Sequence, residues 1–173
     1  MTTLTQEYLL KRLSYDPETG IFVWLLYHDS LRHDQYAGKQ AGTVLNSKNH
    51  KINYLQIKID GRRYKAHRLA FLYMTGKLPT DGVDHRDGNG LNNRWMNIRV
   101  ANNMQNSWNR GLHINNKVGL KGVIFFKRNG RFRAQIVICG KKKHLGMFAT
   151  ANDAHKAYVI AAKNNFGEFS RAA

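Results

Sequence analysis

A chain of 173 residues with a single cysteine, Cys139, can close no internal disulfide and cannot supply the CxxC pairs of a zinc ribbon. Its fold must be held by apolar packing and hydrogen bonds, with no structural zinc, and any catalytic metal must sit on oxygen and nitrogen ligands. There is apolar material for this, since 42% of residues are hydrophobic and 11% aromatic, which predicts a folded protein rather than a disordered basic chain. The surface is another matter. With 28 Lys and Arg against 11 Asp and Glu, the formal charge is +17, and a polyanion becomes the expected partner. No apolar run approaches the ~18 residues of a membrane span. The N-terminal MTTLTQEYLLKRL lacks the order of a signal peptide. The expectation is a soluble cytoplasmic protein with no membrane partner.

Periodicity divides the chain. Leu4, Tyr8, Leu9 and Leu13 predict a short helix over 3–13, closed by a turn at Asp16-Pro17. Ile21–Trp24 reads as a buried strand, and Tyr54–Ile59, turn Asp60-Gly61 and Arg62–Lys65 as a hairpin. Residues 28–50 are polar and patternless, a loop with short strands at most. Residues 66–75 predict a buried helix ending at Gly76. Ten asparagines then fall between Asn89 and Asn116, a density that favours turns and caps. Within that stretch DHRDGNG predicts a loop, MNIRV a strand and NNMQNSWN a helix. Residues 111–120 read as a linker, after which Gly122–Phe126, Arg131–Cys139 and Lys142–Phe148 predict three strands. A helix follows, with Thr150 and Asp153 as its capping box and Ala154, Ala157, Tyr158 and Ala161 as its apolar face. Charge follows the same division. Residues 111–173 carry twelve basic and two acidic groups, +10, while residues 1–110 carry +7.

Chemistry concentrates at Asp84-His85, which follows Val83 at the expected end of a strand. Asn97 lies twelve positions after His85, and Asn106 twenty-two after Asp84. A strand, loop, strand and helix of that length returns Asn106 toward Asp84. A carboxylate and an amide carbonyl are hard oxygen ligands suited to Mg²⁺ or Mn²⁺, which complete their shells with water and phosphate. His85, on the opposite face of an extended strand, is free to accept a proton from water as a neutral base. A plain hairpin turn is the rival reading of Asp84 and RDGNG, and the joint spacing weighs against it. Arg99 is either a phosphate-contacting residue or a solvated strand residue. His67-Arg68 is either a helix face on DNA or, for the histidine, a packed residue behind the loop. The histidines 28, 33, 50, 113, 144 and 155 show no short metal-ligand spacing.

The stretch AHRLAFLYMTGKLPTDGVDHRDGNGLNNRWMNIRVANNMQN resembles the HNH nuclease motif in the form found in phage homing endonucleases, with DH…N…N in place of His-Asn-His. The likeness covers residues 66–110, with HRL, DHxDGN, the pair Asn92-Asn93, NxR and the final Asn in the family's order. It implies an α+β fold with a ββα-metal core, Asp84 and Asn106 as metal ligands, His85 as general base, and Asn97 holding the His85 ring or bracing the loop. YDPETGIFVW and AGTVLNSKNHKINYLQIKIDGRRY are also similar to the N-terminal part of such proteins. The C-terminal GLKGVIFFKRNGRFRAQIVICGKKKHLGMFATANDAHKAYVIAAKNNFGEFSR resembles the Apetala-type DNA-binding domain, a three-stranded antiparallel sheet with one helix. In period-2 alternation Arg131, Arg133 and Gln135 share one strand face and Phe132, Ala134 and Ile136 the other. The first face, with Lys141, Lys142 and Lys143, is the expected DNA surface. The organisation implied is a nuclease part at 1–110, the linker, and a DNA-binding part at 121–173. Its expected partner is double-stranded DNA, with no small-molecule cofactor, and it acts as a nicking monomer or a DNA-induced dimer. A non-catalytic DNA-binding regulator on the same scaffold is the alternative.

Overall fold

The computed structural model describes residues 4–26, 35–45 and 53–171. His28, His33 and His50, and much of the patternless 28–50 stretch, lie outside them. The fold is α+β, built from short helices and small antiparallel sheets. It divides into two compact units, residues 1–103 and 104–173. No described helix is long and apolar enough to cross a membrane.

In the first unit α1 (Gln6–Arg12) is capped by Thr5, whose Oγ1 accepts the Tyr8 N–H, and carries Glu7 in its first turn and Lys11 and Arg12 in its last. The helix is shorter than 3–13 because Leu13 turns extended and opens β1 (Leu13–Asp16), paired with β2 (Ile21–Trp24) in a hairpin. Asp16 builds the turn, accepting from the Glu18 N–H and the Thr19 hydroxyl. A second sheet has the order β3 (Thr43–Leu45), β4 (Tyr54–Ile59), β5 (Arg62–Lys65). Its Asp60-Gly61 turn has positive φ at both residues, the geometry a two-residue hairpin requires. From β5 the chain enters α2 (Ala66–Thr75), which buries Ala66, His67, Leu69, Ala70 and Leu72 and stops at left-handed Gly76. Leu9, Leu13, Phe22, Ile57, Leu69 and Ile98 join these in one core. Against it lies the hairpin of β6 (Gly82–His85) and β7 (Ile98–Ala101), with a single 3₁₀ turn at Trp95–Asn97.

The second unit begins inside α3 (Asn103–Trp108), where Trp108 stacks on Phe166 with ring centroids 4.5 Å apart. Residues 111–120 carry no regular secondary structure. The sheet follows, with β9 (Arg131–Ile138) central between β8 (Val123–Phe126) and β10 (Lys141–Phe148). Its inner face, Ala134 and Ile136, packs on Ala154, Tyr158, Ala162 and Phe166 of α4 (Ala151–Phe166). Thr150 Oγ1 caps α4 at the Asp153 N–H, 3.1 Å away. Lys121 ties the unit's ends together, its Nζ donating to the carbonyls of Trp108 and Arg171. Burial lowers that ammonium to about 8.

Candidate active site

Asp84 and His85 are the last two residues of β6, opposite Arg99 and Ile98 of β7. Both are buried, at 5% and 4% exposure, so neither is a loop residue of a simple exposed turn. Arg99 answers Asp84 directly: its Nε and one terminal nitrogen both donate to Asp84 Oδ2, at 3.0 and 2.8 Å. The sequence allows Arg99 a phosphate contact or a solvated position, and its 7% exposure opposes the second. It is buried in an ion pair that compensates a carboxylate with little access to water.

The His85 ring is held from three elements. Asn93 Oδ1 lies 3.3 Å from His85 Nε2, and the Asn93 amide nitrogen donates to the Leu91 carbonyl, which fixes which end of the amide faces the ring. Facing that oxygen, Nε2 is assigned as the protonated nitrogen, which leaves the lone pair on Nδ1. His67 of α2 stands nearly perpendicular to the ring, centroids 4.9 Å apart, and Tyr54 of β4 touches both histidines, 5.9 Å from His85 and 5.4 Å from His67 between centroids. Burial pushes the His85 imidazolium below the ordinary histidine range, against the opposing pull of Asn93, Asp87 and Asp84. It is neutral at physiological pH, as a proton acceptor must be.

The asparagines between the strands brace one another. Asn97 donates to Asp87 Oδ1 and to the Asn92 carbonyl, and its own Oδ1 accepts the Asp87 N–H. Asn92 donates to Asp87 Oδ2, and Asn89 N–H to Oδ1. Asp87 is partly desolvated by this, yet the hydrogen bonds win and hold its carboxyl below the usual range. Of the two roles open to Asn97, the structure places it in the loop brace, and the hydrogen bond to the His85 ring comes from Asn93. Asn93 is almost wholly buried, and its carbonyl accepts from the Tyr15 hydroxyl at 2.7 Å. Sequence reasoning does not single out Asn93 or Tyr54. Only the pairing Asn92-Asn93 within the dense run hints at the first, and no pattern hints at the second.

His67 is packed inside the core, whereas Arg68 is half-buried. His67 is 3% exposed, and Arg68 donates to the carbonyls of Pro79 and Asp81, closing the loop after α2. Asn106 is exposed on α3, in the part of that helix belonging to the second unit. Among the described residues no group of three His, Cys, Asp or Glu gathers as a metal cage. The donor the first unit offers is the Asp84 carboxylate, a hard oxygen ligand, which fits an ion that takes most of its shell from water and phosphate better than it fits zinc.

In the second unit the outward sheet face carries Arg131, Arg133 and Gln135 of β9, with Lys142 and His144 of β10 opposite Val137 and Gln135. By register Lys141 and Lys143 pair with the inward-facing Ile138 and Ile136. Lys143 nevertheless borders the same shallow cleft as Arg133, Gln135, Lys142 and Met147. Arg133 lies over the Phe126 ring, 5.4 Å from its centroid, and its Nε finds no hydrogen-bond partner among the described residues.

The Asp-His pair and the asparagine-braced loop lie within a segment that matches a known family. Residues 64–108 match the family model HNH_3, described as HNH endonuclease, which supports placing this segment in the HNH family. The chain is similar to "Uncharacterized HNH endonuclease L560" of Acanthamoeba polyphaga mimivirus, 34% identical over 116 residues, 66% of this chain and 59% of that protein. It is also similar to "Protein 3.8" of Escherichia phage T7, 38% identical over 60 residues, 35% of this chain and 50% of that protein. The chain thus spans between half and three fifths of the length of these relatives. No solved structure matches it at comparable significance.

Proposed function

We propose that this protein is a metal-dependent DNA endonuclease of the HNH type, of homing or freestanding origin, that nicks one strand as a monomer. The observation that carries the reading is the buried His85, its Nε2 3.3 Å from Asn93 Oδ1, beside a carboxylate on the same strand. His85 Nδ1 takes a proton from water. The resulting hydroxide attacks the phosphorus in line, the bond to the 3′ oxygen breaks, and one cut strand results. Asn93 keeps the ring from turning its other nitrogen to the water, and the Asn97 brace holds the loop that carries Asn93. Asp84, with Asn106 nominated by motif order alone, is the expected holder of Mg²⁺ or Mn²⁺, and such an ion supplies charge neutralisation at the phosphate.

The basic sheet of the second unit is the proposed target-binding surface for double-stranded DNA, in the manner of an Apetala-type domain. Arg131, Arg133 and Gln135 are aimed at bases or phosphates and Lys142 at the backbone. The test is a supercoiled plasmid carrying target sequence, incubated with Mg²⁺ or Mn²⁺ and with EDTA. Nicked circles appear with metal and vanish with EDTA. His85→Ala slows nicking by about 100-fold or more, the usual contribution of a general base. Tight, salt-sensitive binding without nicking under either metal overturns the catalytic reading in favour of a regulator.

A further inference from the structure

The packing behind His85 carries one inference more, which rests on His85 being the base. We infer that His67 is a positioning residue for that base, its ring acting as a wall that fixes the plane of His85. Three observations meet here. The two rings stand 81° apart with centroids at 4.9 Å, so the contact opposes rotation of the His85 ring out of its plane. Both are buried, at 3% and 4% exposure, and the Tyr54 ring lies beside both, with centroids 5.4 Å from His67 and 5.9 Å from His85. His67 also comes from the first turn of α2, anchored through buried Ala66, Leu69 and Ala70, so the wall is part of the core.

What His67 offers is ring surface. Its Nδ1 is buried without a hydrogen-bond partner among the described residues, an arrangement that costs free energy and is not explained by a bonding role. Burial, and then His85 itself, drive its pKa down to about 3, so it adds no positive charge beside the base at working pH. Asn93 fixes Nε2 in the ring plane, while His67 and Tyr54 bound the ring from its sides. Together these fix both which nitrogen is basic and where it points. A displacement of about 1 Å in such a group is enough to cost catalysis about 100-fold.

The experiment uses the full chain and four variants: His67→Ala, His67→Leu, His67→Phe and His85→Ala. Nicking is followed for kcat and KM, folding by thermal unfolding, and the His85 ring by its ¹⁵N shifts, which report tautomer. His67→Ala is expected to lower kcat roughly 10- to 100-fold with KM nearly unchanged, and to spread the His85 signal between tautomers. His67→Phe, which restores an aromatic wall, recovers most of the rate and the single tautomer. If His67→Ala does not fold, His67→Leu takes its place, filling the volume without a flat ring. Wild-type kcat and an unchanged His85 signature in the folded non-aromatic variant overturn the positioning role. So does a Phe variant as slow as that variant. The base reading fails separately, if His85→Ala nicks at the wild-type rate.

Discussion

A histidine held neutral inside a fold makes stability depend on pH, and His67 is the clearest case in this chain. Its folded pKa of about 3 lies below the ordinary 6.5 that it regains on unfolding. Between those values the unfolded chain binds a proton that the folded one refuses. Stability from this group is therefore complete above 6.5 and is lost steadily as pH falls toward 3. At pH 5 the loss is about 2 kcal/mol, a large share of the margin of a small domain. Urea unfolding at pH 7 and pH 5 reads it. His67→Phe, with nothing to protonate, is expected to lose about 2 kcal/mol less than wild type across that interval. Equal losses in the two proteins would show that His67 is not held neutral. Arg99 and Asp84 make the complementary point, since an isolated charge at either position would be too costly to bury and the pair exists only as a pair.

At the scale of elements, the hairpin of β1 and β2 matters to the site although it contributes no chemistry. Its turn lies under the asparagine loop: the Trp95 N–H donates to the Pro17 carbonyl at 2.9 Å, and Tyr15 holds the Asn93 carbonyl. Gly20 has φ +74°, and a Cβ there would stand 2.4 Å from the Asn93 carbonyl carbon and the Arg94 nitrogen. Backbone cannot yield as a side chain can, so the loop must move. Gly20→Ala is expected to cost about 1–3 kcal/mol from the strained φ alone, and to lower kcat about tenfold by shifting Asn93 from His85. Thermal unfolding and nicking rates check it, and a variant with wild-type kcat would mean that the hairpin does not set the loop. This coupling is not legible in the sequence. The turn at Asp16-Pro17 is, but Leu13 continues the helical spacing of Leu9 and so disguises β1. By contrast α2, its stop at Gly76, the Asp60-Gly61 turn and the Thr150 cap are local decisions, written in adjacent residues. Asp84 and His85 are legible because a motif is local too. Which asparagine meets His85, and that Arg99 turns inward to Asp84, depend on strand register and loop closure, which spacing along the chain does not determine.

For the whole molecule the charge of +17 is divided unevenly, with thirteen basic and two acidic residues in 104–173. The first unit must keep Asp84 and Asp87 within its site, and local positive charge there is partly engaged in pairs such as Arg99 with Asp84. The second has few acidic groups to neutralise its cations, and its outward sheet face leaves Arg131 and Lys142 exposed. On the proposed function this implies a division of labour, in which changes to the sheet are expected to alter how tightly DNA is held and changes around His85 how fast it is cut. The triple variant Arg131→Gln, Arg133→Gln, Lys142→Gln is expected to raise KM about 10-fold or more while leaving kcat at saturating DNA within about twofold. The slope of log K against log salt should flatten by about one for each phosphate that the sheet no longer neutralises. Binding titrations at several salt concentrations, together with nicking at saturating plasmid, measure the two effects independently. An unchanged KM and salt slope would remove the sheet from DNA binding. A kcat that falls as far as KM rises would mean that the sheet's hold on DNA also serves the cutting step, and the division of labour would fail.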